Sequence, residues 1–454
     1  MLPHPLQNNI AGFKAVLADA GVTGQVCFPQ KVSQSSALLE TVSTAAIPCE
    51  SSSLEELQAA MAVGIPGGNI LASGPAKADN FLYAAARARA TVVLDSEEET
   101  LRLVSLLQQQ ALPLTAVFLR LAGFTITTQG RNEPIDEERL DLSRFGMTPA
   151  VVERVIRIIE SDSGRRHLDL RGFHFHLDNH SIPDRVRAME KVFALIDDMR
   201  ANGHDICCLD IGGGFTASYV DTADFAEFLA DYKARLRSGE PMMFRAKSFG
   251  LDGTAADDRR RGNFYPHDLP ISGPRALGAL LSARGEPEST IAAALQRRNL
   301  RLLVEPGKAL LDHVGLVVLK VAGSKTAPDG SVLIQCEGNI THLWEQWIGS
   351  EYTVDPIFLP VRSSAEEESA VGYLSGNLCL ESDMLSWRPL AFSQLPRRGD
   401  LLVFLNTASY QSTFVDVSTH RRQPPARIAV YESESGLRWT SDDRFLPLLL
   451  EAGS

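Results

Sequence analysis

The stretch CCLDIGGGF, residues 207–215, opens as a short apolar strand and ends in Gly212, Gly213 and Gly214. A strand that runs straight into glycine makes a tight exit, because glycine takes positive φ without steric cost. The backbone N–H groups of such an exit can cradle a phosphate, although an ordinary tight turn has the same composition. The neighbouring segments decide between the two. Apolar runs of similar length lie at 26–31, 46–50, 69–73, 91–95, 115–121, 168–176 and 301–305, and 206–211 makes the eighth. Helix-like stretches separate them, among them SLEELQAAMAVG (53–64), EEETLRLVSLLQQQ (97–110) and DRVRAMEKVFALIDDMRANG (184–203). Strand–helix alternation repeated eight times predicts an α/β protein built on a (β/α)8 TIM barrel. A doubly wound open sheet is the alternative, since one sequence does not reveal strand order.

Beyond about residue 312 the texture changes. GLVVLKVAG (315–323), SVLIQCEGN (331–339), DLLVFLNTASYQSTF (400–414) and ARIAVYES (426–433) are β-rich runs joined by Gly, Pro and Ser. The expected organisation is a barrel over 1–312 and a C-terminal all-β barrel or sandwich domain over 313–454, with 239–272 as an insertion loop. The 454 residues are 44% hydrophobic and 22% charged, with a net charge of -12. That acidity weighs against nucleic acid or an acidic membrane surface as a partner. The six cysteines show no CxxC spacing. MLPHPLQNNI lacks the features of a signal peptide, and no apolar run approaches the ~18 residues of a membrane span. A cytoplasmic location is expected.

In such barrels function collects at the C-terminal ends of the strands. The first strand ends near Lys31, which carries the sole charge between Asp19 and Glu40. It is either a lysine whose stem packs on the core or an amine used for Schiff-base chemistry. The sixth strand, LRGFHFHLDNH (170–180), alternates Phe173, Phe175 and Leu177 on one face with His174, His176 and Asp178 on the other. The eighth, LRLLVEPGK (300–308), delivers Glu305. Taken singly, these are hydrogen-bonded core histidines and turn residues. Taken together, a lysine, an imidazole, a glycine loop and a carboxylate meet the requirements of pyridoxal 5'-phosphate.

The same segments resemble those of the fold-type III pyridoxal-phosphate enzymes, the alanine-racemase-like barrels. Within them the likeness is to the ornithine/diaminopimelate/arginine decarboxylases. FPQKVSQS (28–35) resembles the family's Tyr-Ala-x-Lys-x-Asn segment, LRGFHFHL its His-x-His strand, LDIGGGF its phosphate loop and EPGK its Glu-Pro-Gly-Arg. GNLCLESDML (376–385) resembles Gly-x-x-Cys-x-x-x-Asp, and GDLLVFLNTASY (399–410) resembles Gly-Asp…Gly-Ala-Tyr. The resemblance implies Lys31 as the Schiff-base lysine and His176 as the imidazole stacked on the ring. It implies Glu305 at the pyridine nitrogen, and Asn179, Gly212, Gly213, Gly214, Gly307, Lys308 and Tyr410 around the cofactor. It makes Cys379 the catalytic acid, with Lys31 and His176 the other catalytic residues, and gives Asp383 or Glu381 to a substrate's distal amine. No metal is implied.

Three departures stand out. Asp178-Asn179-His180 replaces Gly-Ser-Gln, Lys308 replaces an arginine, and the acidic residue nearest the cysteine has moved to Glu381. The N-terminal strand that relatives add to the second domain is expected to be short or absent. A carboxylate at Glu305 favours a protonated pyridine and hence decarboxylation, whereas racemases of this fold place an arginine there. The expected function is decarboxylation of a diamino acid of the diaminopimelate, ornithine or lysine type. A racemase of the same fold and a non-catalytic regulatory homologue are the alternatives. The family also implies a homodimer with composite sites, Lys31 of one chain facing Cys379 of the other.

Overall fold

The computed structural model describes residues 1–129, 133–240, 243–246, 269–285, 289–343, 354–361, 368–410, 419–421, 425–434 and 436–442. All eight expected barrel strands form: Gly24–Val26 continued by Phe28–Pro29, then Cys49–Ser51, Ile70–Ala72, Thr91–Leu94, Thr115–Arg120, Leu168–His174, Cys208–Asp210 and Arg301–Val304. Each pairs in parallel with its sequence neighbours in that series. The first strand changes partner in mid-course. Gly24 pairs with Leu302 of the eighth strand, and Phe28 pairs with Cys49 of the second. The Cys27 N–H donates to the Val304 carbonyl at 2.8 Å and the Phe28 N–H to the Pro48 carbonyl at 2.8 Å, so the switch takes one residue. The sheet thereby closes on itself, and a closed parallel sheet excludes the doubly wound alternative.

Local chemistry fixes where the crossover helices start. Ser53 and Ser96 cap their helices by accepting from the Glu56 and Glu99 N–H groups, while the Glu56 and Glu99 carboxylates reach back to the Ser52 and Asp95 amides. The two-residue period of the strands then builds the barrel interior in layers. Cys27, Leu71, Val93, Phe118, Cys208 and Leu303 form one apolar cluster. Two residues further along the corresponding strands stand Ser73, Asp95, Arg120, Asp210 and Glu305, with His174 two beyond Gly172. The apolar floor and the polar layer above it come from a single alternation.

Details differ from expectation. The first strand stops at Pro29, which cannot donate to the ladder, and Lys31 lies in a 3-10 turn, Gln30–Val32. The second strand begins at Cys49, after Ala46 at positive φ (51°) and a proline at 48. A hairpin, Thr125–Gln129 with Glu133–Leu140, follows the fifth strand where none was expected.

The chain divides into two compact units. Leu6–Thr216 with Ile271–Leu310 carries the barrel; Met1–Pro5, Ala217–Pro270 and Leu311–Phe445 make the other. The second unit contains a six-stranded sheet ordered Ile357–Leu359, Leu401–Leu405, Leu316–Thr326, Val332–Cys336, Ala370–Ser375, Met384–Phe392, and a hairpin of Ile428–Ser433 with Gly436–Ser441. It is not purely β. Helix Thr222–Arg237 contributes Phe225 and Tyr232 to a cluster with Met243, Leu333, Met384 and Trp387, which draws residues 217–240 to this unit. Most of the segment 239–272 lies outside the described residues. Met1 and Leu2 bond to this unit's chain: the N-terminal ammonium donates to the Ile428 carbonyl at 2.7 Å and the Leu2 N–H to the Val314 carbonyl at 2.7 Å. Among the described residues no helix is long and apolar enough to cross a membrane.

Gly172 sets the packing of the barrel interior. A Cβ there would stand 2.6 Å from the Cys208 carbonyl oxygen and 2.9 Å from Phe118 Cε1. Because the first of these is backbone of a neighbouring strand, it cannot swing away. Gly172→Ala is expected to destabilise the chain by roughly 1–3 kcal/mol, read as a lower urea midpoint with an unchanged slope.

Candidate active site

Lys31 owes its position to the turn beneath it. Gln30, itself buried, donates to Ser51 Oγ at 2.7 Å and to the Glu56 carbonyl at 3.0 Å, which pins the turn to the second strand. Lys31 Nζ then lies 3.5 Å from Glu50 Oε2; the lysine side chain is 45% exposed and the glutamate 5%. The other Glu50 oxygen accepts from the Ser73 hydroxyl. Glu50 is a neighbour of Lys31 that the sequence did not single out. Its signal was a lone charge in an apolar strand, and its closeness to Lys31 depends on which strands pair.

Across the barrel mouth, His174 Nε2 stands 3.8 Å from Glu305 Oε1, and both side chains are buried. Ligand-type atoms of His174, Asp210 and Glu305 lie within 4.8 Å of one another. Asp210 Oδ1 accepts from the Gly212 N–H at 2.9 Å, but Asp210 Oδ2 and Glu305 Oε1 are buried without a hydrogen bond. Two carboxylates this close cannot both hold charge. Burial, and then the charge of Glu305, push Asp210 well above the usual carboxylate range. Burial also pushes Glu305 up, but the His174 imidazole and the Lys31 ammonium more than offset it, so Glu305 is the ionised member. Burial drives His176 well below the usual imidazole range, aided by the positive charges of Lys31 and Arg185. His176 is therefore neutral, and its Nδ1 accepts from the Gly213 N–H at 3.0 Å.

The glycine loop is shaped for contact. A Cβ on Gly212 would meet His176 Nδ1 at 2.8 Å, one on Gly213 the Glu305 carbonyl oxygen at 2.9 Å, and one on Gly214 the Arg185 guanidinium at 1.7 Å. Gly212 and Gly214 also hold positive φ, 61° and 84°. Two of the loop's amides, those of Gly212 and Gly213, are already bonded within the protein, so the backbone offers an anion less than the sequence suggested. Gly307 lets the eighth strand's exit cross the lysine turn: its Cβ would lie 2.5 Å from Val32 Cγ1. Lys308 follows in the short helix Gly307–Leu310. Asn179 is buried; its side chain donates to Asp184 Oδ2 at 3.1 Å and accepts from the Ser181 N–H at 3.0 Å.

Lys31, His176, Asn179, the glycine loop, Glu305, Gly307 and Lys308 thus belong to the barrel unit. Cys379, Glu381, Asp383 and Tyr410 belong to the other. Cys379 is exposed, and its N–H donates to His420 Nε2 at 3.1 Å. Asp383 is buried and accepts from the Ile340 N–H at 2.9 Å and the Leu378 N–H at 2.7 Å, bonds that fold the loop carrying the cysteine. Glu381 Oε2 pairs with Arg245 at 2.6 Å. Tyr410 sits half-buried at φ 58°.

Residues 6–246 match the family model described as the pyridoxal-dependent decarboxylase, pyridoxal binding domain. The chain belongs to that family. A curated relative, an uncharacterized protein of Sinorhizobium fredii, is 33% identical over 96% of this chain and 87% of its own length. The diaminopimelate decarboxylase of Bacillus subtilis is 21% identical over 95% of this chain and 86% of its own. Among solved structures, a diaminopimelate decarboxylase mutant from Helicobacter pylori complexed with L-lysine superposes with a TM-score of 0.68 at 15% identity, covering 99% of this chain and 96% of that one. The arginine decarboxylase of Paramecium bursaria Chlorella virus gives 0.64 at 14%, covering 92% of each.

Pyridoxal phosphate is the cofactor of this decarboxylase family, and the residues present fit it. Glu305 Oε1 is a buried acceptor lacking a hydrogen-bond donor, which a protonated pyridine nitrogen would supply. The glycine loop is a cradle that any Cβ would fill. The trio of His174, Asp210 and Glu305 has the spacing of a metal site as well.

The carboxylate pair makes a pH-dependent prediction for the cofactor-free protein. The folded Asp210 pKa lies above its unfolded value, so the associated stability is full below the unfolded pKa of 3.8 and is lost as pH rises toward the folded one. Asp210→Asn supplies the neutral form at every pH. Its melting temperature should exceed that of the wild type at pH 8, and the gap should close as pH falls toward 4. Every tenfold weakening of the Asp210 acid on folding contributes about 1.4 kcal/mol to that gap.

Proposed function

We propose that the chain is a pyridoxal-phosphate-dependent decarboxylase of a diamino acid, with Lys31 as the covalent anchor of the cofactor. The carrying observation is the ionised, buried Glu305 at the end of the eighth strand. When bound, the cofactor supplies a pyridine ring that accepts the electrons released at the substrate's α-carbon. Glu305 keeps a proton on the ring nitrogen and thus sustains that acceptance; a racemase of this fold, with arginine there, would not.

The remaining steps fall to the chain's own side chains. Lys31 would hold the cofactor through its side-chain amine. His176, neutral and fixed by the Gly213 amide, presents a flat ring without competing for charge. Gly212, Gly213, Gly214, Gly307, Lys308, Asn179 and Tyr410 would hold the cofactor, the glycines by permitting close approach. Cys379 supplies the proton that replaces carbon dioxide. Because the Asp383 carboxylate serves the loop amides, exposed Glu381 is the better candidate for the distal amine of a diaminopimelate-, ornithine- or lysine-type substrate. The relatives named for diaminopimelate and arginine support that class.

The residues named for this role come from both units, and we assign the site to a homodimer in which Cys379 serves the partner's Lys31. Leu316, Val318, Ile357, Leu359 and Leu405 support this reading. All are exposed, and cross-strand pairing puts them on one face of the sheet, the kind of apolar patch that soluble proteins cover with a partner.

Purified protein given a panel of diamino acids should release carbon dioxide from at least one. Glu305→Gln should keep the cofactor's visible absorbance yet lose turnover by orders of magnitude; equal rates would remove the role of the ring nitrogen. Mixing inactive Lys31→Ala with inactive Cys379→Ala should restore up to about a quarter of wild-type activity, as random exchange of a two-fold dimer requires. Proven mixed dimers without activity would place both residues in one chain's site.

A further inference from the structure

Arg185 lies in the first turn of helix Ile182–Ala201, where an amphipathic sequence would lead one to expect a solvated cation. Instead it is 2% exposed, among the largest fully buried side chains of the molecule. Its Nη2 donates to the carbonyls of Asn179 at 2.7 Å and Leu177 at 3.4 Å; its Nη1 is buried without a hydrogen-bond partner. Among the described residues no carboxylate lies within ion-pair distance of it. Neighbouring Asp184 accepts from Thr127, Asn179 and Arg187 instead. The guanidinium carbon stands 5.4 Å from the centre of the Phe215 ring, and Nη2 occupies the space that a side chain on Gly214 would take. A buried cation satisfied by carbonyls on one nitrogen alone is costly unless an anion joins it.

We propose that Arg185 binds the phosphate of the cofactor at Gly214, as the charged fork of the anion site. This rests on the cofactor reading above and adds to it a residue that the family's motifs did not supply. Three observations converge on it. The Gly212 and Gly213 amides are spent on Asp210 and His176, whereas the Gly214 amide has no partner among the described residues. The Asn179 side chain is engaged with Asp184 and Ser181. Lys308 offers a point charge in place of a bidentate guanidinium. The lost fork is thus restored from a different element, one helix away. The loop is held ready for it, because His180 Nδ1 donates to the Gly214 carbonyl at 2.9 Å. Burial lowers the Arg185 pKa to about 10, which leaves it a cation at neutral pH and a strong donor to a dianion.

The test is binding, read from the visible absorbance of the reconstituted full-length protein. Wild type, Arg185→Gln and Arg185→Lys are titrated with pyridoxal phosphate and, separately, with pyridoxal, which lacks the phosphate. Arg185→Gln should weaken pyridoxal phosphate by roughly 10- to 150-fold, the loss expected for hydrogen bonds to a charged group, and leave pyridoxal unchanged. Inorganic phosphate should compete with pyridoxal phosphate in the wild type and not with pyridoxal. Equal loss of both ligands, or no loss of either, would overturn the proposal. If Arg185→Gln does not fold, Arg185→Lys decides, since it keeps charge and bulk but not the fork: its selectivity for the phosphorylated form must fall. A wild type that binds neither form would defeat the cofactor reading itself. In that case the anion site would stand only if inorganic phosphate raised the melting temperature of the wild type and not of Arg185→Lys.

Discussion

Burying Glu305 beside Asp210 obliges the barrel mouth to compensate negative charge that water cannot reach. The answer is distributed over strands that are far apart in the chain. His174 comes from the sixth strand, Lys31 from the exit of the first, and a proton settles on Asp210 itself. None of these groups suffices alone. Lys31 is half in solvent and His174 is 3.8 Å away, so the arrangement leaves Glu305 ionised and still short of a donor. In the proposed site a ring nitrogen carrying a proton would complete it. The cofactor's electronics and the protein's own electrostatics are one problem with one solution.

In the proposed function the two compact units share the chemistry unevenly. The barrel unit provides everything that grips: the anchoring amine, the imidazole, the glycine exit and the carboxylate. The other unit provides an exposed thiol and an acidic side chain on a loop folded around Asp383. On that proposal the barrel unit is the holder of the cofactor and the other unit the donor of a proton and of substrate contacts.

Most of the barrel was legible because its signals are local. Short apolar runs bounded by glycine and proline mark strands wherever they fall, and the layers follow from a two-residue period. Lys31, His176 and Glu305 stood out as polar residues at strand ends. What the sequence hid depends on contacts between distant segments. Glu50 becomes a neighbour of Lys31 through the pairing of Phe28 with Cys49. Helix Thr222–Arg237 reads like any crossover helix, and its loyalty to the β unit rests on Trp387 and Met384. Arg185 looks like surface charge until the glycine exit folds over it. The hairpin at 125–140 escaped because EPIDEERL alternates no apolar residues.

The distribution of thiols has a practical side. Cys27, Cys49, Cys208 and Cys336 are buried and Cys207 is half-buried, while Cys379 alone among the six is exposed. Burial raises Cys27, and raises Cys49, Cys208 and Cys336 to about 12, which suppresses the reactive thiolate at all four. A maleimide or iodoacetamide reagent therefore has one preferred target without any prior engineering. A fluorophore attached there would report on the loop folded around Asp383, and the labelling rate itself would register when a ligand covers it.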